Sequence, residues 1–456
     1  MTDTLNRSTA PAAHAHNPAD GVRAYELDRQ YVFHSWSAQG ALKPFVAASA
    51  QGSYVYTYDG DAYLDFSSQL VNTNIGHSHP KVVAAIQQQA AQLATVAPSH
   101  AALVRGEAAK RIVEKAGPGF SQVFFTNGGA DAIENAIRMA RLTTHKHKVL
   151  STYRSYHGNT GAAIAATGDW RRMPNEYAYG HVHFFGPFTY RSEFFSETPE
   201  QECARALRHL ERTIVAEGPG TIAAILLESV PGTAGIFAPP PGYLEGVRAL
   251  ADKYGIVWIA DEVMAGFGRT GDWFAWQNPT INPNRATPDL IAFAKGVNSG
   301  YVPVGGVVIS PTIAEAFADK VFPGGLTYSG HPLAAASIVA SIDAMTDEGI
   351  VENARMIGEQ HLGPGLRALA EKHEMIGDVR GLGVFWALDL VTDRATREPV
   401  SVDVVNRLKA ELMARKVLPF AAENRIHVVP PCIVTPDQVA DALQAYDGAF
   451  SAVAQK

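Results

Sequence analysis

Cysteine, long apolar runs and secretory features are scarce or absent in this sequence. Its two cysteines, Cys203 and Cys432, are far apart, with no CxxC pair or histidine cluster beside them. Neither a disulfide framework nor a metal site is therefore expected, and a reducing cytoplasm is the predicted location. No apolar run of about 18 residues occurs, so no membrane span is predicted. Residues 1–20 lack the apolar segment of a secretory signal, and we interpret them as a flexible arm.

The sequence also lacks an excess of positive charge. Lys and Arg together number 38 against 45 for Asp and Glu, a formal net charge of -7 at pH 7, and no basic block interrupts the mixture. Nucleic acid and anionic membranes are therefore not expected partners. The length of 456 residues predicts two or three domains.

The middle of the chain alternates short apolar runs with helical patterns, as a wound α/β sheet requires. Near-continuous apolar runs of this kind are typical of strands covered on both faces. The predicted strands are residues 123–126, 149–152, 222–229, 256–260, 290–294 and 304–310, and the predicted helices between them include 130–142 and 242–255.

The C-terminal third has a different pattern. Two long helices, 331–349 and 352–373, precede residues 379–391, whose alternation suggests a separate sheet. An early segment, 54–66, reads as a hairpin around Asp59-Gly60 that could join it. The predicted division is an arm (1–20), the first part of a smaller α+β domain (21–70), a large domain (71–330) and the rest of the smaller domain (331–456).

Chemically distinctive residues follow four of the predicted strands. In open α/β sheets ligands bind beyond the carboxyl ends of the strands, so these positions should lie together. Gly128-Gly129-Ala130 opens a helix, where free N–H groups can hold a phosphate. The other strand ends supply Tyr156 with His157, Asp261 and Lys295.

Each of these residues alone has an ordinary structural explanation. A glycine pair is most often a turn, Tyr156 could simply pack, Asp261 could cap a helix, and Lys295 could extend its amine to the surface. Pyridoxal phosphate, however, needs all four groups: a lysine for its aldehyde, an aromatic face for its ring, a carboxylate for its ring nitrogen and a cradle for its phosphate. We therefore predict this cofactor, with Lys295 as a buried amine of lowered pKa.

Three longer segments resemble the class III aminotransferases, fold-type I enzymes that include ω-amino-acid:pyruvate transaminases. They are residues 258–271, 294–306 and 327–332, and the similarity extends from about residue 30 to the C terminus. The resemblance implies an α/β fold-type I transferase: a large domain with a mostly parallel wound sheet, and a smaller domain from both chain ends.

Several site residues follow from this resemblance. It implies that Lys295 is the Schiff-base lysine, that Asp261 pairs with the pyridinium and that Tyr156 and Val263 cover the two ring faces. Further residues that it places at the cofactor are Gly128, Gly129, Ala130, His157, Glu228 and Thr327. Thr327 would reach the phosphate from the neighbouring subunit of a homodimer or a dimer of dimers.

The sequence departs from the family pattern at the substrate end of the site. Two positions where relatives carry an arginine for a substrate carboxylate hold Phe420 and His427, and Arg425 is the obvious substitute. The alternative is that Arg425 only forms an exposed ion pair with Glu423. Val71 stands where related enzymes often have a tryptophan, which predicts a wider pocket.

The predicted activity is transfer of an amino group from an ω-amino acid or primary amine to a keto acid acceptor, with pyruvate as the expected acceptor. The same fold and lysine serve decarboxylases, racemases and aminomutases, which stay open as alternatives. A regulator that binds the cofactor without catalysis would need a basic DNA-binding region, which is absent. A nicotinamide site would need a GxGxxG motif after a strand, which is also absent.

Overall fold

The computed structural model of the protein describes residues 16–175 and 179–454. Its strands are β1 Ala47–Gln51, β2 Tyr54–Thr57, β3 Ala62–Asp65, β4 Gln122–Thr126, β5 Lys148–Thr152, β6 His181–Phe184, β7 Ile222–Glu228, β8 Val257–Asp261, β9 Leu290–Phe293, β10 Gly305–Ile309, β11 Ile376–Leu382, β12 Phe385–Asp393, β13 Glu398–Pro399, β14 Val417–Leu418, β15 Phe420–Ala422 and β16 Arg425–Val428. Its helices are α1 Pro18–Tyr31, α2 Ser68–Val71, α3 Pro80–Gln92, α4 Leu103–Ala116, α5 Gly129–Thr144, α6 Gly161–Ala166, α7 Pro199–Glu217, α8 Tyr243–Tyr254, α9 Pro311–Glu315, α10 Pro332–Asp347, α11 Ile350–Ile357, α12 Gly363–Lys372, α13 Val402–Ala414 and α14 Pro436–Ala454. None of these helices is both long and apolar enough to cross a membrane.

A seven-stranded sheet in the order β4-β10-β9-β8-β7-β5-β6 forms the centre of the molecule. The pairs from β9 through β8, β7 and β5 to β6 are parallel, whereas β10 is antiparallel to both of its neighbours. Every residue of β7 and β8 is buried, because helices cover both faces of the sheet. The prediction of a mostly parallel wound sheet is confirmed.

Helix α5 packs its apolar stripe against this sheet. Ala132, Ile133, Ala136, Ile137 and Ala140 are all buried, at the spacing of three and four residues that places side chains on one face of a helix. Their burial fixes the N-terminus of α5 directly after β4. The phosphate cradle that the sequence predicts therefore lies at the edge of the central sheet.

Of the two smaller sheets, one combines residues from both ends of the chain and the other consists of C-terminal strands alone. The first has the order β1-β2-β3-β14, in which Val417 of β14 pairs in parallel with Leu64 of β3. The second has the order β11-β12-β16-β15 and is antiparallel, with β13 beside β12. The predicted hairpin around Asp59-Gly60 is confirmed as β2 and β3. The proposed domain boundaries at residues 70 and 330 stay predictions.

The structure differs from the sequence predictions at two places, the N-terminal arm and the helix 352–373. Residues 1–15 of the predicted arm lie outside the described part, but residues 18–20 begin α1, where the Asn17 side chain accepts a hydrogen bond from the Ala19 N–H (3.1 Å). The predicted helix 352–373 is interrupted by a π-helical turn, Gly358–Leu362. A Cβ on Gly358 would clash with the Gly383 oxygen. Because glycine has no Cβ, the backbone of this π-helical turn can contact the β11–β12 turn closely.

Candidate active site

Lys295 follows the carboxyl end of β9, beyond the edge of the central sheet. Its backbone adopts the left-handed region (φ 47°), which is rare for a residue with a side chain and turns the chain out of the strand. Burial lowers the pKa of its amine; Asp261 and Glu228 oppose the shift, and Arg171 adds to it. The site therefore favours the neutral amine, which is the form that can act as a nucleophile or accept a proton.

Asp261 ends β8 beside Lys295, and its carboxylate is held on both oxygens. Oδ2 lies 2.7 Å from Nδ1 of the buried His157, and Oδ1 accepts a hydrogen bond from the Val263 N–H at 3.0 Å. Nε2 of His157 is buried and has no protein partner among the described residues. The structure thus brings together Asp261, His157 and Lys295, as the sequence predicts, and keeps the carboxylate in one orientation.

Glu228 ends β7, next to Asp261 in the parallel pairing of β7 and β8. Its two carboxylate oxygens accept hydrogen bonds from the N–H groups of Tyr156 (3.1 Å) and Gly232 (2.8 Å). Burial, and secondarily the charge of Asp261, raises the pKa of Glu228 to about 7. The exact role of Glu228 was left open in the sequence analysis. Its contacts indicate that it stabilises the position of the Tyr156 backbone.

Replacement of Glu228 by glutamine should alter the pH dependence of stability. Because the folded-state pKa is raised from about 4.5 to about 7, the stabilising contribution is fully present below pH 4.5 and is lost as the pH rises through 7. The loss amounts to about 3 kcal/mol. Chemical denaturation at pH 5 and pH 8 should therefore show that E228Q loses less unfolding free energy than the wild type over this interval. Parallel pH profiles for the two proteins would contradict the assignment.

The first turn of α5 forms the cradle. Helices leave their first N–H groups without intrahelical partners, and here that turn comprises Gly129 and Ala130 after Gly128. A Cβ at Gly129 would lie 2.9 Å from Val263 Cγ1, and a Cβ at Gly158 would lie 2.6 Å from the Ala130 Cβ. Only glycine permits these close approaches, so the helix N-terminus is packed directly against the residues that surround Lys295.

The ring of Tyr156 is covered by a guanidinium, that of Arg171, which was not among the site residues predicted from the sequence. The Arg171 guanidinium lies 3.8 Å from the centroid of the Tyr156 ring, and its Nε donates to both oxygens of Asp169 (3.1 and 3.0 Å). The Trp36 ring meets Tyr156 edge-on, with the centroids 6.4 Å apart. Trp36 lies in an irregular segment and Arg171 in a short 3₁₀ turn, Trp170–Asn175, and in neither does the residue spacing indicate which side chains face a site.

Lys295 and Arg425 open onto one cavity of about 1110 Å³. Arg425 lies at the start of β16, only 12% of its side chain is exposed, and it forms an ion pair of 2.6 Å with Glu423. The ion pair with Glu423 is present, but Arg425 itself is not exposed as that interpretation assumed, and its side chain also lines the cavity; its role toward a substrate stays a prediction. Other lining residues include Tyr156, Arg171, Met264, Arg191, Asp389 and Phe420.

The neighbouring positions that relatives use for an arginine are apolar or buried here. Phe420 lines the cavity, and its ring contacts His427 edge-on at 4.9 Å across the β15–β16 pair. His427 is fully buried, and burial holds its pKa well below the usual range. The imidazole of His427 is therefore neutral, and it packs against Phe420.

Val71 does not line the cavity, contrary to the prediction from the sequence. Its side chain is 1% exposed and packs in the core, whereas Leu70, 50% exposed, lines the cavity. The chain at Gln69 and Val71 has positive φ values of 60° and 58°, which rotate the successive side chains away from a regular helix. Leu70, one residue before the position that the sequence predicts, therefore occupies this part of the cavity wall.

Thr327 is exposed in the single chain, in the loop that precedes α10. The hydroxyl of Ser329 in the same loop donates to the Phe125 oxygen of β4 at 2.6 Å, which anchors the loop beside the central sheet. A role for Thr327 in a second subunit stays a prediction.

The side chains around Lys295 fit pyridoxal phosphate. The helix N-terminus offers donors for a phosphate, a buried carboxylate faces the lysine, an aromatic ring is available, and the cavity has ample room. The class-III aminotransferase family model matches residues 36–450 of the chain. The chain belongs to this family. It is therefore a fold-type I, PLP-dependent aminotransferase.

Similar proteins of known name cover nearly the whole chain. The taurine:pyruvate aminotransferase of Bilophila wadsworthia is 31% identical over 96% of this chain and 99% of its own length. The putrescine:pyruvate aminotransferase of Pseudomonas aeruginosa is 32% identical over 86% of this chain and 88% of its own. The solved taurine:2-oxoglutarate aminotransferase of Bifidobacterium kashiwanohense, in complex with PLP and glutamate, superposes with a TM-score of 0.91. It is 42% identical and covers 96% of this chain and 98% of its own.

Proposed function

We propose that this aminotransferase moves an amino group from an ω-amino acid or related primary amine to a keto acid, with pyruvate as the acceptor. One observation carries the proposal: an amine, on Lys295, and a guanidinium, on Arg425, open onto the same cavity. A substrate with an amino group at one end and an acid group at the other matches this pair of groups. The relatives that act on taurine and putrescine with pyruvate support the choice of substrates.

The cofactor, when bound, supplies an aldehyde that receives the amino group and a ring that stores an electron pair. Lys295 would hold it covalently, and its neutral amine, once released, would take the proton from the substrate carbon and deliver it to the cofactor side of the new C–N bond. Asp261, fixed by His157 and Val263, would provide the negative charge that keeps the ring nitrogen protonated. Gly129 and Ala130 would offer their N–H groups to the phosphate, while Tyr156 and Val263 would cover the ring.

A donor screen with the holoenzyme tests this function. Taurine, β-alanine, putrescine and a simple primary amine are each incubated with pyruvate, and the alanine that forms is measured by mass spectrometry. We expect alanine from at least one of these donors, and none in reactions without donor. An absence of alanine with every donor would contradict the proposed reaction.

Arg425 should bind the carboxylate of pyruvate. Because a charge-assisted bond to a buried guanidinium is lost, R425A should raise the KM for pyruvate about 10- to 100-fold. An uncharged aldehyde acceptor should be affected less than about threefold. The matched control is E423Q, which removes the ion-pair partner but retains the guanidinium, so pyruvate should bind at least as well as in the wild type. Equal losses for both acceptors in R425A would refute this role.

We further propose a cytoplasmic homodimer in which Thr327 completes the neighbouring site. The exposed position of Thr327 supports this arrangement, because the side chain is free to meet a second copy. Helix α1 buries none of its side chains in the single chain, and Tyr31 and Phe33 beside its end are 72% and 85% exposed. Apolar surface of this kind is typical of an interface.

A further inference from the structure

A buried carboxylate lies at the acid-binding end of the cavity. Asp389, on β12, is 1% exposed and lines the cavity opposite Arg425 in the β12–β16 pairing. Its Oδ1 accepts hydrogen bonds from Arg191 (2.8 Å) and from the Asn424 amide (2.9 Å), and its Oδ2 accepts one from Arg380 (3.2 Å). One aspartate therefore engages two arginines, of which Arg191 also lines the cavity.

Arg425 has a weaker partner than these two arginines. Glu423, with which it pairs, is 67% exposed, so water screens their interaction and the glutamate can leave the pair at little cost. Nε of Arg425 is buried without a protein partner among the described residues. Arg425 is thus the guanidinium at this end that a substrate acid group can most easily engage.

Arg380 and Arg425 are close neighbours, so their charges act on the same part of the cavity. A Cβ placed on Gly235 would lie 2.8 Å from one nitrogen of Arg380 and 3.0 Å from Cδ of Arg425. Arg380 is additionally tied to Asp378 (2.6 Å) and to the Gly235 oxygen (2.7 Å). Removing its partner at Asp389 would release positive charge next to Arg425.

We propose that Asp389 is a positioning residue that restricts this site to substrates with one acid group at the Arg425 end. It does so by holding Arg191 and Arg380 in ion pairs with its buried carboxylate, which a second substrate carboxylate would have to break. Breaking a buried pair leaves a charge without a partner, which is strongly unfavourable. The inference rests on the proposed function, because it specifies the acid substrates of that same site.

The test compares two acids of similar chain length, butyrate with one acid group and glutarate with two. Titration calorimetry of the wild-type holoenzyme should show that glutarate binds no more tightly than butyrate. In D389N, where Arg191 loses the Asp389 carboxylate and Arg380 keeps only Asp378, glutarate affinity should rise at least about tenfold, and butyrate affinity should change less than about threefold. The ratio of kcat/KM for 2-oxoglutarate over pyruvate should rise in parallel.

Matched variants separate this role from a structural one. D378N removes another partner of Arg380 but leaves Arg191 held, so both acids should bind as in the wild type. D389E restores the negative charge and should restore the preference for butyrate. If D389N fails to fold, D389S in its place should show the same gain of glutarate affinity.

Two results would overturn the proposal: tighter binding of glutarate than of butyrate by the wild type, or equal changes for both acids in the Asp389 variant. The binding measurements need no turnover. If no donor yields alanine but D389N gains glutarate affinity, the proposed reaction fails and the role of Asp389 stands.

Discussion

K295A should lower the turnover number by at least about 10⁴-fold, because both the covalent attachment of the cofactor and the proton transfer depend on one neutral amine. The burial that lowers the pKa of Lys295 is a property of its surroundings, so the variant should fold and retain some cofactor through the α5 cradle. Steady-state rates and the mass of a borohydride-reduced peptide measure the two losses separately.

K295R is the matched control, since arginine approximately retains the length of the side chain but stays protonated at every relevant pH and so cannot act as a base. It should be as inactive as K295A. Small amines such as ethylamine, diffusing into the space left by the side chain, should restore part of the activity of K295A and none of that of K295R. Turnover of either variant within a hundredfold of the wild type would exclude the role of Lys295 as the base.

D261N should lower the turnover number about 10²- to 10³-fold. Opposite charges about 4 Å apart in an environment of effective dielectric about 20 attract by roughly 4 kcal/mol, and desolvation removes part of this. The substitution abolishes the negative charge next to the cofactor ring but occupies the same volume. The measurement is kcat at saturating cofactor for the wild type, D261N and H157Q.

H157Q is the control for orientation, because it keeps the carboxylate and removes the ring that lies 2.7 Å from it. We expect a loss of about tenfold, the effect of a less well-fixed carboxylate. If H157Q is as impaired as D261N, the histidine contributes chemistry that the charge argument does not include. If D261N keeps more than a tenth of the activity, the charge is dispensable.

The sequence was sufficient to predict which residues meet at the carboxyl edge of the central sheet. Lys295, Asp261, Tyr156 and Gly129 each follow a strand whose apolar run is easily recognised, and the carboxyl ends of parallel strands meet at one edge. Since the sheet determines where these residues lie, their juxtaposition required no knowledge of loops. The positive φ of Lys295 could not be predicted from the residue pattern.

The substrate side depends on irregular backbone and was predicted less well. Leu70 rather than Val71 lines the cavity, because three residues of α2, Ser68, Gln69 and Val71, have positive φ. Arg171 lies in a short helical turn after β5, where nothing in the residue spacing indicates an orientation. Asp389 had a possible signal, an acidic residue within the apolar strand FWALDLV, but a partner on a distant segment was needed to interpret it.

The pairing of β14 with β3 has a consequence for biosynthesis. Leu64 and Val417 are about 350 positions apart, so one of the small sheets can be completed only after nearly the whole chain has left the ribosome. Contacts of such long sequence separation form slowly, and until then the β3 edge presents unpaired N–H and C=O groups. We therefore expect truncation before residue 417 to yield aggregating polypeptide, even though every residue at the carboxyl edge of the central sheet has already been synthesised.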